Sequence, residues 1–190
     1  MVITPNAVLV EKAKPVEKFD KKLKAIINGM SATLDATVDP VGVGLAAPQI
    51  GISKRIFLAK PVEKGPTEIF INPEIIEESA EDVIPEFTNS EKVEAKKPKK
   101  SRKRLLEGCL SIPNIWGNVA RKKEVKVKWQ DENGASHEKT FKGFFAIIIQ
   151  HELDHLNGVL FTKHVMEQGE TLYKSHKNSE GEDEFDELEV

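Results

Sequence analysis

Gln150-His151-Glu152-Leu153-Asp154-His155 sets two imidazoles four residues apart, with a carboxylate beside the first. On a helix, residues four apart share a face, so both rings can converge on one ion. An ion held this way polarises an amide carbonyl and lowers the pKa of water. Glu152 then stands where an acid/base must stand, taking the water's proton and passing it to the leaving amine. Two histidines do not complete such a site, because a catalytic centre uses three protein ligands and keeps one position open. His164 and His176 lie in a C-terminal segment where the pattern fades. Cys109, between Gly108 and the strand-like Leu110-Ser111-Ile112, is the stronger third donor. A thiolate binds divalent ions well, although a lone cysteine is often just a small buried hydrophobe.

These groups need a rigid carrier. Gly143 to Asn157 reads as a helix that is apolar over most of its circumference, through Phe144, Phe145, Ile147, Ile148, Ile149 and Leu153. It is therefore predicted to be buried, with Gly158 at its C-terminus. Burying two histidines, a glutamate and an aspartate costs several kcal/mol unless they are paired or ligated, which argues against coincidental spacing. Val16 to Thr37 carries apolar residues in steps of three and four and predicts an amphipathic helix, ended by Asp39-Pro40. Gly42 to Gly51 is a loop of small residues. Strands follow at Arg55 to Ala59 and at Thr67 to Asn72, the second closed by Pro73, with a third from Glu74 to Ser79. Glu124 to Trp129 alternates cleanly, and Asp131-Glu132-Asn133-Gly134 turns it into His137 to Lys142, a β-hairpin. The predicted class is α+β: antiparallel β-sheets packed around one buried metal-binding helix.

The chain has 190 residues, enough for one domain with a real core. Its charge is concentrated. Lys96, Lys97, Lys99, Lys100, Arg102, Lys103 and Arg104 form a basic run, and Glu180, Glu182, Asp183, Glu184, Asp186, Glu187 and Glu189 an acidic one, so the net charge of −3 conceals two opposed patches. Residues 80–104 are polar, contain Pro85 and Pro98 and lack an apolar period, which predicts a surface insertion. Residues 171–190 are expected to be a disordered acidic tail after a catalytic domain spanning 1–170. A single cysteine rules out an internal disulfide and fits a reducing compartment. No stretch approaches the roughly 20 apolar residues of a membrane span, so the expected location is the cytoplasm.

Three segments, Gly42-Val-Gly-Leu-Ala-Ala-Pro-Gln49, Glu107-Gly-Cys-Leu-Ser111 and Gln150-His-Glu-Leu-Asp-His155, resemble in order and spacing the signature motifs of the peptide deformylases. Ala13 to Glu17, Ile71-Asn-Pro-Glu74 and Leu156 to Phe161 extend the resemblance, which covers residues 5 to about 165 apart from the region 80–104. It implies that Cys109, His151 and His155 hold one divalent ion, Fe²⁺ by preference, with Zn²⁺, Ni²⁺ or Co²⁺ able to take its place. It implies Glu152 as the acid/base, and the Gln49 side chain and Leu110 backbone N–H as donors to the oxyanion.

The substrate implied is the formyl-methionyl end of a nascent polypeptide, bound as an added strand near Gly44. Val43, Leu105, Phe144, Ile147 and Ile148 would line its methionine pocket, though ordinary core packing is an equal reading for some of them. Asp154 would orient a ligand histidine or serve structure alone. Arg121 would pair with a carboxylate near the site. The basic run 96–104 could contact the ribosome, or be a solvated loop. A general metallopeptidase, and a catalytically silent peptide- or ribosome-binding protein of the same fold, are the competing readings.

Overall fold

The structure is a computed structural model describing residues 1–62, 65–84 and 105–189. Among these, three α-helices, α1 (Lys21–Asp35), α2 (Gly143–Leu156) and α3 (Phe161–Glu167), accompany eleven strands. In chain order the strands are β1 (Gly44–Ala46), β2 (Ile56–Ala59), β3 (Glu68–Glu78), β4 (Asp82–Val83), β5 (Glu107–Cys109), β6 (Ile112–Gly117), β7 (Arg121–Lys122), β8 (Glu124–Gln130), β9 (Ser136–Lys142), β10 (Leu172–Lys177) and β11 (Asp183–Glu187). A five-stranded sheet runs β1-β2-β3-β8-β9 and a four-stranded sheet β11-β10-β6-β5, every neighbouring pair antiparallel. A small β4-β7 pair joins them. This is an α+β fold.

Strands β1 and β2 and the first part of β3 are buried on both faces, β8 and β9 mainly on one, and each covering helix supplies one core. Phe57, Phe70, Val125, Val127 and Phe141 meet Ile148, Ile149, Leu153 and Leu156 of α2. Phe70 stacks on Phe57 at 4.5 Å, and Phe141 meets Phe145 edge-on at 4.9 Å, which anchors the start of α2 to the sheet. Leu23, Ile27, Met30 and Leu34 of α1 pack on Leu45, Ile56, Leu58 and Ile71. A third, small core of Val119, Phe161, Val165 and Leu172 lies under the four-stranded sheet.

Arg55 caps the far end of α2, donating from Nη1 to the Leu156 carbonyl at 3.2 Å and to Asn157 Oδ1 at 3.0 Å. Gly158 is required there twice over. Its φ is +72°, and a Cβ would lie 2.6 Å from the Val10 carbonyl oxygen.

Three features differ from the sequence-based expectation. Helix α1 begins at Lys21, because the Asp20 side chain accepts from the N–H groups of Lys22 and Leu23 and so sets the N-cap. Val16 and Phe19 join the same core from an extended segment, which is why their spacing mimicked an earlier helix start. Pro73 does not close a strand. β3 runs through it, and the register shift between Ile71 and Glu74 absorbs the residue that cannot donate. Residues 172–187 are not a disordered tail but the hairpin β10–β11, held by five paired positions from Tyr173↔Glu187 to Lys177↔Asp183. Of the expected insertion only residues 80–84 are described, partly as β4. The basic run 96–104 lies outside the described residues. Among the described residues no helix is long and apolar enough to cross a membrane.

Candidate metal centre

Strand β5 and helix α2 bring three donors together from distant parts of the chain. The ligand atoms of Cys109, His151 and His155 all lie within 4.8 Å of one another. His155 is buried, with Nε2 at 3.2 Å from the Cys109 sulfur. The Nδ1 of His151 is engaged by Glu107 Oε1 at 2.5 Å, which leaves its Nε2 for the common centre. A thiolate and two imidazoles form a donor set that suits a divalent transition ion and leaves one tetrahedral position open.

The site's electrostatics favour the thiolate of Cys109 and the carboxylate of Glu107. Burial pushes the Cys109 thiol up, but hydrogen bonds from His151 and His155 outweigh it and bring the pKa down to about 5. Glu107 is likewise penalised by burial, yet the Arg121 guanidinium and then His151 hold it down at about 2. Glu152 goes the other way. Burial dominates and raises it to about 7, against the opposing charge of the two histidines. Its Oε2 is buried and has no hydrogen-bond partner among the described residues. The carboxylate lies against Gly44, where any Cβ would collide with it.

Behind the histidines stands a buried ionic network. Arg121, 5% exposed, donates from Nη2 to Glu107 Oε1 and from Nη1 to Asp154 Oδ2, both at 2.6 Å. Asp154 Oδ2 also meets His164 Nε2 at 2.9 Å. Gln150 fixes β7, the strand of Arg121, by exchanging two bonds at 2.9 Å with the backbone N–H and carbonyl of Lys122.

In front of the donors, the Gln49 side-chain oxygen accepts from the Ala46 N–H at 2.7 Å, and this turns its Nε2 toward Cys109 Sγ at 3.6 Å. The loops bearing Gln49 and Cys109 are tied together by the N-terminal segment. The Val2 N–H donates to the Gln49 carbonyl at 2.7 Å, and the Thr4 N–H to the Ser111 carbonyl at 3.0 Å.

A cleft of about 550 Å³ opens over this centre. Val43, Gly44, Gln49, Leu105, Cys109, Leu110, Phe144, Ile147, Ile148, His151 and Glu152 all line it, with His155 immediately behind. A larger open groove of about 850 Å³ lies on the back of α2, lined by Arg55, Gln150 and Asp154 among others; the ligand atoms do not meet there.

Residues 1–171 match the family model described as polypeptide deformylase. The chain belongs to the polypeptide deformylase family. A peptide deformylase of Pseudothermotoga lettingae is 41% identical over 156 residues, spanning 82% of this chain and 76% of that one. One of Mesorhizobium japonicum is 39% identical over 168 residues, 87% of this chain and 82% of the relative. Among solved structures, the peptide deformylase of Thermotoga maritima aligns with a TM-score of 0.70 at 37% identity, over 86% of this chain and 94% of that one. That of Plasmodium falciparum gives 0.70 at 36%, over 86% and 84%.

Deformylases are metal-dependent, and among the described residues Cys109, His151 and His155 form a group that could hold the ion. Sequence reasoning gave no role to Glu107 within the second deformylase motif. The clue was available, since Glu107 and Cys109 are two apart on a strand and so face the same way. It also missed Trp116, Ser175, Lys177, Asp183 and Phe185, which complete the cleft from β6 and the C-terminal hairpin. Only long-range pairing joins β6 to that hairpin.

Proposed function

We propose that this deformylase removes the formyl group from the N-terminal formyl-methionine of nascent polypeptides and releases formate, with Glu152 as the acid/base. The observation that carries this reading is the unpartnered, buried Glu152 oxygen in a cleft beside three converging metal donors. Cys109, His151 and His155 would hold one divalent ion, Fe²⁺ first and Zn²⁺, Ni²⁺ or Co²⁺ as alternatives. Bound there, the ion supplies Lewis-acid polarisation of the formyl carbonyl and a lowered pKa for the attacking water.

The remaining steps belong to the protein. Glu152 takes one proton as the water oxygen attacks the formyl carbon. As the C–N bond breaks, it returns that proton to the methionine nitrogen, and a group held near neutrality suits both halves. The Gln49 Nε2 and the Leu110 backbone N–H donate to the oxyanion, and the bond from the Ala46 N–H keeps the Gln49 amide turned the right way. The peptide lies as an added strand along β1 at Gly44, where the missing side chain leaves room for the Glu152 carboxylate. Val43, Leu105, Phe144, Ile147 and Ile148 receive the methionine side chain. Arg121 and Glu107 orient His151, and Asp154 steadies Arg121 from the other side.

The deciding experiment pairs metal analysis with a formate-release assay on formyl-Met peptides, under anaerobic conditions. About one ion per chain together with formate release is the expected outcome. Cleavage of unformylated peptides with formyl peptides untouched would point to a general metallopeptidase instead. Bound metal with no turnover of any peptide would leave a binding protein. In Cys109→Ser the metal content should fall; an unchanged content and rate would refute the third-ligand assignment. An enzyme that acts on nascent chains would work in the cytoplasm beside the ribosome, and we propose the basic run 96–104 as the contact. Unchanged ribosome co-sedimentation after neutralising that run would refute the contact.

A further inference from the structure

We propose that the hairpin β10–β11 forms the outer wall of the peptide cleft and selects formyl-methionyl peptides whose next residue is arginine or lysine. The inference rests on the deformylase reading above and adds a specificity to it.

The hairpin, residues 172–187, lies beyond the residues matched by the family model, which end at 171. It is nevertheless built into the site. β10 pairs with β6 from Leu172↔Gly117 to Lys174↔Ile115, and β6 pairs with β5, which ends at Cys109. Ser175 pairs with Phe185 and Lys177 with Asp183, so these four side chains share one face of the hairpin, and all four line the cleft.

An aromatic shelf connects that face to the metal donors. The Trp116 ring lies across Gly108, so close that a Cβ there would sit 2.6 Å from the ring. Its Nε1–H donates to Ser175 Oγ at 3.0 Å, and Phe185 meets it edge-on at 5.9 Å and 84°. Phe185 is 42% exposed on an otherwise acidic strand. Two other exposed large hydrophobics, Val41 and Phe144, line the same cleft. Apolar groups left open around a cleft that also holds an unpartnered buried carboxylate are the mark of a surface that a ligand covers.

Charge specifies the ligand further. Among the described residues of the outer cleft, Asp39 and Asp183 face one cation, Lys177, which sits 2.9 Å from Asp183, so one negative charge is left over there. Glu187 adds to the field from the face of Asp183 and Phe185, whereas Glu184 and Asp186 alternate onto the opposite face and meet His176 there. An arginine or lysine answers both features at once. Its apolar stem and cationic head lie over Trp116 and Phe185, and its charge meets the carboxylates. An acidic residue at the same position meets the same field with the wrong sign.

The test compares kcat/KM of the full, metal-loaded chain on formyl-Met-Arg-Ser and formyl-Met-Glu-Ser. At low salt the arginine peptide should be favoured roughly tenfold, mainly through KM, and the ratio should shrink at about 0.5 M salt. Phe185→Ala should lower the ratio roughly threefold by removing the ring beneath the side chain. Asp183→Asn should lower it as well, since Asp39 and Lys177 then cancel. Equal kcat/KM on the two peptides in the unmodified chain would overturn the proposal whatever the variants do. So would a ratio unmoved by both variants. Absence of turnover on every formyl-Met peptide is a different result, and it would remove the deformylase reading and this one together.

Discussion

Helix α2 and the hairpin β10–β11 face each other across one cleft and are held in place by opposite means. Ala146, Ile149 and Leu156 of α2 have no exposed surface, and its polar groups are tied into a buried ionic network. Every residue of β11 is exposed. Its hairpin stands on backbone pairing, on surface ion pairs such as Lys177–Asp183 at 2.9 Å, and on the contact of His176 with Asp186 at 3.3 Å. Surface pairs of this kind contribute about 0–1 kcal/mol each.

The difference matches the two tasks. Chemistry at an amide carbon needs donors and a carboxylate fixed in advance, which only a packed frame provides. Reading a passing peptide needs a few small, adjustable energies, and these can be supplied at the surface. Substitutions on the helix should therefore abolish function or stability, and those on the hairpin should tune.

The largest effect should come from Glu152→Ala. Formate release should fall by about 10²–10⁴-fold with the metal content kept, because the carboxylate is not a ligand. Metal lost from that variant would contradict its role. Next, Arg121→Met leaves Glu107 and Asp154 buried without their cation. A cost of about 3–5 kcal/mol is expected, or roughly 10 °C in the unfolding midpoint. A shift of only a degree or two would mean that the network is solvated after all.

The acid dependence is subtler. Glu107 is held at about 2 in the fold, below its ordinary 4.5, so its contribution is complete above about 4.5 and is lost as the pH falls toward 2. In Glu107→Gln the stability curve should be flatter over that window, as followed by denaturant titrations at stepped pH. An equally steep curve would assign the acid response to other groups. The smallest effect should be Ser175→Ala on the hairpin. It removes the acceptor of the Trp116 N–H and costs about 1 kcal/mol. A cost as large as that of Arg121→Met would erase the contrast between the two walls.

What could be read from the sequence follows the same division. Helix α2 declared itself because its apolar residues and its two histidines repeat at short range, and the β8–β9 hairpin because Asp131 to Gly134 announces a turn. The start of α1 was misplaced because Val16 and Phe19 satisfy a helical period while belonging to an extended segment. The hairpin β10–β11 was missed because its polar alternation has no apolar face of its own, and only pairing with β6 makes it a strand. The resemblance implied that Arg121 pairs with a carboxylate, as it does, but the partners within the Glu107–Arg121–Asp154–His164 network were out of reach for a related reason. Its bonds join residues 10 to 33 apart, and no local pattern encodes which carboxylate a distant guanidinium will meet.

The two hydrogen bonds from the Val2 and Thr4 N–H groups, one to the Gln49 carbonyl and one to the Ser111 carbonyl, give the site a mechanical character. The loops that present Gln49 and Leu110, the proposed oxyanion donors, are not continuous with each other; residues 2–4 clasp them like a strap across two leaves. Loss of these two bonds would loosen the two loops against each other without touching either packed core.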